Sequence, residues 1–110
     1  MPFNGYVRHS WTVVVRYRLK GRLVPYDVIG GSWRFITLPC KVSTELRGMS
    51  EGTRGFGSLP CTVTIGATTW RTSIFWSKQA GFLLPVKAAV RKAESLADDA
   101  MVTYHIDVDV

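Results

Sequence analysis

Between residues 11 and 20, apolar and polar side chains alternate one for one. Trp11, Val13, Val15, Tyr17 and Leu19 fall on one face, and Thr12, Val14, Arg16, Arg18 and Lys20 on the other. A period of two with β-branched residues predicts a half-buried strand. Gly21 and Pro25 bracket a connection, and residues 24–29 predict a short strand that Pro25 confines to an edge. Gly30-Gly31-Ser32 reads as a turn. The next strand covers residues 33–38 and stops at Pro39. A short helix is predicted over about 42–47, with Ser43 or Thr44 near its start and Gly48 past its end. A polar loop over 49–54 leads into a strand over 56–65, with Cys61, Val63 and Ile65 on one face and Pro60 at a bulge or edge.

Gly66-Ala67 suits a two-residue type II′ hairpin. The strand it opens, residues 68–76, places Thr68, Trp70, Thr72 and Ile74 opposite Thr69, Arg71, Ser73 and Phe75. Residues 77–81 read as a loop. The long helix is expected over about 85–97, because Val86, Ala89, Val90, Ala93 and Leu96 recur at helical spacing and Pro85 fits the first turn. The last strand, 101–110, points Val102, Tyr104, Ile106, Val108 and Val110 inward and Thr103, His105, Asp107 and Asp109 outward.

These elements predict a mainly β, α+β fold. It is a small closed or partly open β-barrel of about six strands carrying one long and one short helix. Arg16, Arg18 and Lys20 on the first strand complement Asp107 and Asp109 on the last. Opposite charges attract across paired strands, so the two are predicted to be neighbours that close the barrel.

The length of 110 residues supports a single domain, 1–110, with one core. A hydrophobic fraction of 46% excludes a disordered chain. The apolar runs are far shorter than a membrane-spanning helix needs. Fourteen Lys and Arg against eight Asp and Glu give +6, and the charges are unevenly placed. Residues 1–93 hold every cation and three acids, a surplus of +11, whereas 94–110 hold five acids and no cation. Such a basic body with an acidic final strand can neutralise itself internally. Cys40 and Cys61 form no CxxC pair, and His9 and His105 are not at metal-ligand spacing, so no metal or cofactor is expected. Without an apolar N-terminal stretch, the expectation is a cytoplasmic protein with free thiols.

Four segments carry a family likeness. They are Trp33-Arg34-Phe35-Ile36-Thr37-Leu38-Pro39, Arg54-Gly55-Phe56-Gly57-Ser58-Leu59-Pro60, Thr69-Trp70-Arg71-Thr72-Ser73, and the run from Leu84 to Glu94. In this order they resemble the small bacterial family of domain of unknown function 1905, over roughly residues 11–109. The resemblance implies a small mixed β-barrel, found alone or joined to a domain related to bacteriocin protection. It implies no activity. Cys40, Ala67, Trp76 and Phe82 depart from the residues common in that family at those places.

Two clusters suggest chemistry. Arg54 and Ser58 flank a glycine-containing segment whose backbone N–H groups can approach an anion; the alternative is a turn with Arg54 in solvent. Lys87 lies at the start of the predicted long helix and Arg91 one turn on, a like-charge pair at the end of the helix dipole that repels cations. A bound anion would offset that cost; ordinary solvated side chains are the alternative. Arg71, Thr72, Ser73 and Lys78 join this patch if the hairpin meets the helix start. The expected site is therefore Arg54, Ser58, Arg71, Thr72, Ser73, Lys78, Lys87 and Arg91.

The expected function is a non-enzymatic module for an anionic small molecule or acidic peptide, with no catalytic residue. The alternatives are an enzyme acting on a phosphate- or carboxylate-bearing substrate, and a nucleic-acid-binding barrel using Arg16, Arg18 and Lys20. The chain is expected to be a monomer, or a homodimer paired through strand edges. Trp11 and Trp70 read as core, and Trp76 as the exposed ring.

Overall fold

The computed structural model describes residues 13–26, 33–50 and 57–110. Six strands occur there, with two helices: β1 (Val14–Tyr26), β2 (Trp33–Thr37), α1 (Cys40–Ser50), β3 (Ser58–Ile65), β4 (Thr68–Ser77), β5 (Gly81–Pro85), α2 (Ala88–Ala93) and β6 (Met101–Asp109). All pairings are antiparallel, and the order β1-β2-β5-β4-β3-β6 closes into a barrel.

The first and last strands are neighbours, as their charges predict. Arg16 stands opposite Asp107 and Arg18 opposite His105. Arg16 grips Asp107 with two bonds, Nε to Oδ1 at 2.6 Å and Nη2 to Oδ2 at 3.0 Å. This guanidinium holds the Asp107 carboxyl below its ordinary range.

β1 runs without a break through Gly21, which corrects the expected connection there. A side chain at Gly21 would collide with Ile36 of β2, so its absence lets the two strands close up. Beyond Gly21, Leu23 to Tyr26 pair with β2, and Pro25 takes its place opposite Arg34. Val15, Tyr17 and Leu19 lean inward and Leu23 is fully buried. Residues 11, 12 and 27–32 of the expected strands and turn lie outside the described residues.

Strands β3 and β4 keep the predicted faces and hairpin. Cys61, Val63, Ile65, Trp70 and Ile74 are buried. At the turn Gly66 takes φ 58 while Ala67 stays at negative φ, as a type II′ turn requires. Any side chain on Gly66 would strike the Glu94 carboxylate.

The helices exchange their predicted lengths. α1 has 11 residues and passes through Gly48, so Gly48 does not end it. Arg47 lies over the Trp76 ring at 4.1 Å, and Ser50 Oγ donates to the Arg47 carbonyl, which together hold the final turn. Ser43 is not a cap. It is 2% exposed, and its hydroxyl accepts the Phe82 N–H at 3.0 Å, tying α1 to β5.

α2 has only six residues, not the span 85–97. Residues after Ala93 are drawn onto the barrel instead. Glu94 Oε2 accepts a hydrogen bond from Thr68 Oγ1 at 2.6 Å, Ser95 takes φ 53, Asp98 pairs with Arg34, and the Asp99 N–H donates to the Leu23 carbonyl. Of the expected apolar stripe, Val86 and Val90 are buried and Leu96 is half-buried, but Ala89 and Ala93 are exposed. Residues 81–85 form β5, where Gly81 was expected to end a loop and Pro85 to start the helix.

Candidate functional site

The position of the site follows from how β5 chooses its neighbours. At its start β5 pairs with β4, through Gly81 with Ser77, Phe82 with Trp76 and Leu83 with Phe75. From Leu83 onward it also follows β2, pairing Leu84 with Ile36 and Pro85 with Phe35. The Val86 N–H continues that course by donating to the Arg34 carbonyl at 2.9 Å. β4, past Phe75 in the other direction, stays with β3 from Ile74 to Thr68. The two strands part, and a cleft of about 300 Å³ opens between them.

Trp33 and Arg34 of β2, Trp70, Arg71, Thr72 and Phe75 of β4, and Pro85, Val86, Lys87 and Arg91 line it. Trp70 and Val86 are 9% and 1% exposed and reach the barrel core. Trp33 and Phe75 are 56% and 47% exposed and flank the opening. Trp33 stacks on Phe35, with ring centroids 6.0 Å apart and planes 9° from parallel. Trp33 is thus the most open indole among the described residues, whereas Trp76, expected to be so, is half-buried against Phe82 and beneath Arg47.

Four cations surround the cleft in different states of engagement. Arg34 is bonded to Asp98 at 2.6 Å and to the Trp33 carbonyl at 3.1 Å. Arg71 reaches Thr62 Oγ1 at 3.0 Å and Asp109 at 3.2 Å. Arg91 Nε donates to the Val86 carbonyl at 3.1 Å, which pins the start of α2. Lys87, exposed at the N-cap, uses no side-chain bond to cap the helix. Its ammonium has no hydrogen-bond or ion-pair partner among the described residues. No His, Cys, Asp or Glu of the described residues lines the cleft.

Arg71, Thr72, Lys87 and Arg91 of the expected site therefore come together. Ser58 and Ser73 are half-buried on β3 and β4 and do not line the cleft, and Lys78 sits in the exposed turn between β4 and β5. Arg54 lies outside the described residues. Sequence reasoning did not place Arg34, Phe75 or Pro85 here. A signal for Arg34 was present: it alternates with Trp33 and Phe35 on a strand that leads to Pro39. The long helix at whose start the anion was expected is corrected to six residues, which do not build a dipole of that kind.

The chain matches the domain of unknown function 1905 family over residues 20–106, which runs from β1 to β6. The chain belongs to that family. The match covers every residue of the cleft, so the parting of β4 and β5 lies inside the domain of unknown function 1905. No curated protein matches the sequence. Among the described residues no helix is long and apolar enough to cross a membrane.

Proposed function

We propose that this member of the family is a binding module for an anionic small molecule, held at the cleft between β4 and β5. The observation that carries the reading is the composition of that cleft. Arg34, Arg71, Lys87 and Arg91 surround it, no carboxylate among the described residues lines it, and Lys87 keeps an unengaged ammonium. A concave wall of low dielectric strengthens the pull of those charges on an anion. Arg34 and Arg71 are held in place by their own partners, which keeps the rim ordered before a ligand arrives.

The other readings draw less support. Catalysis would need a general base or nucleophile at the cleft, and Thr72 is the only hydroxyl among its described lining residues. Nucleic acid would need an uncompensated basic face, and of Arg16, Arg18 and Lys20 on β1 the first is bound to Asp107.

Calorimetry with inorganic phosphate, acetate and benzoate, on the wild type and on Lys87→Glu, tests the proposal. Lys87 is exposed, so the variant should keep its thermal midpoint and lose anion binding. Binding should weaken as salt rises. Equal affinity of Lys87→Glu and wild type would refute the reading, and binding of an acidic hexapeptide in place of every small anion would assign the cleft to a peptide. Arg91 is a poorer test, because removing it also cuts the bond to the Val86 carbonyl.

A further inference from the structure

We infer that the ligand of this cleft is a flat aromatic monocarboxylate, its ring lying among Trp70, Phe75 and Trp33 and its carboxylate at Lys87. The inference rests on the anion-binding reading and adds the ligand's class to it.

Two features set that class. The first is that half of the cleft's lining is apolar, at the opening as well as towards the core. Trp33, Trp70, Phe75, Pro85 and Val86 make five of its ten described lining residues, and three of them are aromatic. A small hydrated anion would meet the cations and make no use of the apolar lining. An aromatic ring gains offset or edge contacts with them as well as the burial of its own surface. The cavity of about 300 Å³ is at the small end of ligand pockets, which suits one ring or two fused rings.

The second feature is the charge left over at the rim. Arg34 and Arg71 already face Asp98 and Asp109, at 2.6 and 3.2 Å. Arg91 spends its Nε on the Val86 carbonyl. Lys87 brings one ammonium with no partner among the described residues. Lys87 is the place at the rim for one negative charge, and a single carboxylate is enough to pair with it. A phosphate monoester brings nearly two, and its greater charge costs more to desolvate.

The test is a titration of the intact protein with acetate, inorganic phosphate, benzoate, 2-naphthoate, phenyl phosphate and uncharged 2-naphthylmethanol. Calorimetry reads affinity, and 15N-correlated spectra read the indole N–H signals of Trp33 and Trp70. Benzoate and 2-naphthoate should bind about tenfold tighter than acetate, and both indole signals should move. Lys87→Met, which keeps the apolar stem, should reduce 2-naphthoate to the affinity of 2-naphthylmethanol. Phe75→Ser, at a half-exposed ring, should weaken 2-naphthoate about tenfold and leave acetate unchanged. Acetate or phosphate binding as tightly as the arenes would overturn the aromatic assignment and leave the anion reading standing. Phenyl phosphate binding tighter than benzoate would overturn the single-charge assignment. Equal affinity for 2-naphthylmethanol and 2-naphthoate, unmoved by Lys87→Met, would remove the anion reading as well. Silence from every probe would remove both.

Discussion

Tyr104 offers a substitution whose sign is opposite to the usual one for a core aromatic. It stands on β6 across from Leu19 and is 0% exposed. Its hydroxyl has no hydrogen-bond partner among the described residues, and burial pushes the phenol well above its ordinary pKa. A buried hydroxyl left unpaired costs about 1–3 kcal/mol. Tyr104→Phe removes that cost and keeps the ring. The gap left by one oxygen atom takes back only a few tenths of a kcal/mol, at about 24 cal/mol per Å³. The variant should therefore be more stable by about 1 kcal/mol, or about 4–8 °C in Tm for a domain near this size. Urea unfolding followed by far-ultraviolet circular dichroism measures it, with an unchanged m-value as the control. The sign with pH follows from the raised phenol pKa. The neutral phenol's contribution is complete below the unfolded value of about 10 and falls away as pH climbs towards the folded value. Absorbance at 295 nm should thus show one tyrosine of the wild type that ionises only with unfolding, and Tyr104→Phe should lack that step. A variant less stable by about 1 kcal/mol would mean that the hydroxyl has a strong partner, and the reasoning would fail.

Ser43→Ala strips the acceptor from the buried Phe82 N–H and should cost about 1–3 kcal/mol in urea unfolding, with faster hydrogen exchange at Phe82 as its local mark. A neutral result would show that α1 does not depend on this tie. Asp107→Asn removes a carboxyl whose pKa is lowered by the Arg16 hydrogen bonds, so the wild type should be the more stable near neutrality. That advantage is present above the unfolded carboxyl pKa of about 3.9 and lost as pH falls through the folded value. Urea midpoints of the two proteins should converge in acid, and a gap independent of pH would contradict the pairing.

Strands with clean alternation were legible because one face of each is buried. β3, β4 and β6 carry inward Cys61, Val63, Ile65, Trp70, Ile74, Val102, Tyr104, Ile106 and Val108. The closure of β1 on β6 was legible from charge, since Arg16 meets Asp107 across the ladder. β5 was hidden because five residues between Gly81 and Pro85 are too few to show a period, and Val86 and Val90 continue them at helical spacing. The end of α2 was hidden for a different reason. Local spacing favours more helix, but Glu94 is claimed by Thr68 and Asp98 by Arg34, partners 26 and 64 residues away. Such long-range contacts override propensity worth a few tenths of a kcal/mol per residue.

The sequence pointed to Lys87 and Arg91 through the dipole of a long helix, and six residues do not make that dipole. What brings them beside Arg71 is the course of β5 along β2, which opens the wall of the barrel. The uneven charge of the chain then acquires a structural meaning. The acids of the last 17 residues do not form a separate acidic surface: Asp107 goes to Arg16, Asp109 to Arg71 and Asp98 to Arg34. Each pairing neutralises one cation, and two of the three cations so paired stand at the cleft. Lys87 has no such acid within reach among the described residues. The acidic end of the chain thus neutralises Arg34 and Arg71 at the cleft and leaves Lys87 without an acid beside an apolar hollow. A chain with the same +6 spread evenly would have no reason to bind an anion at one place rather than another.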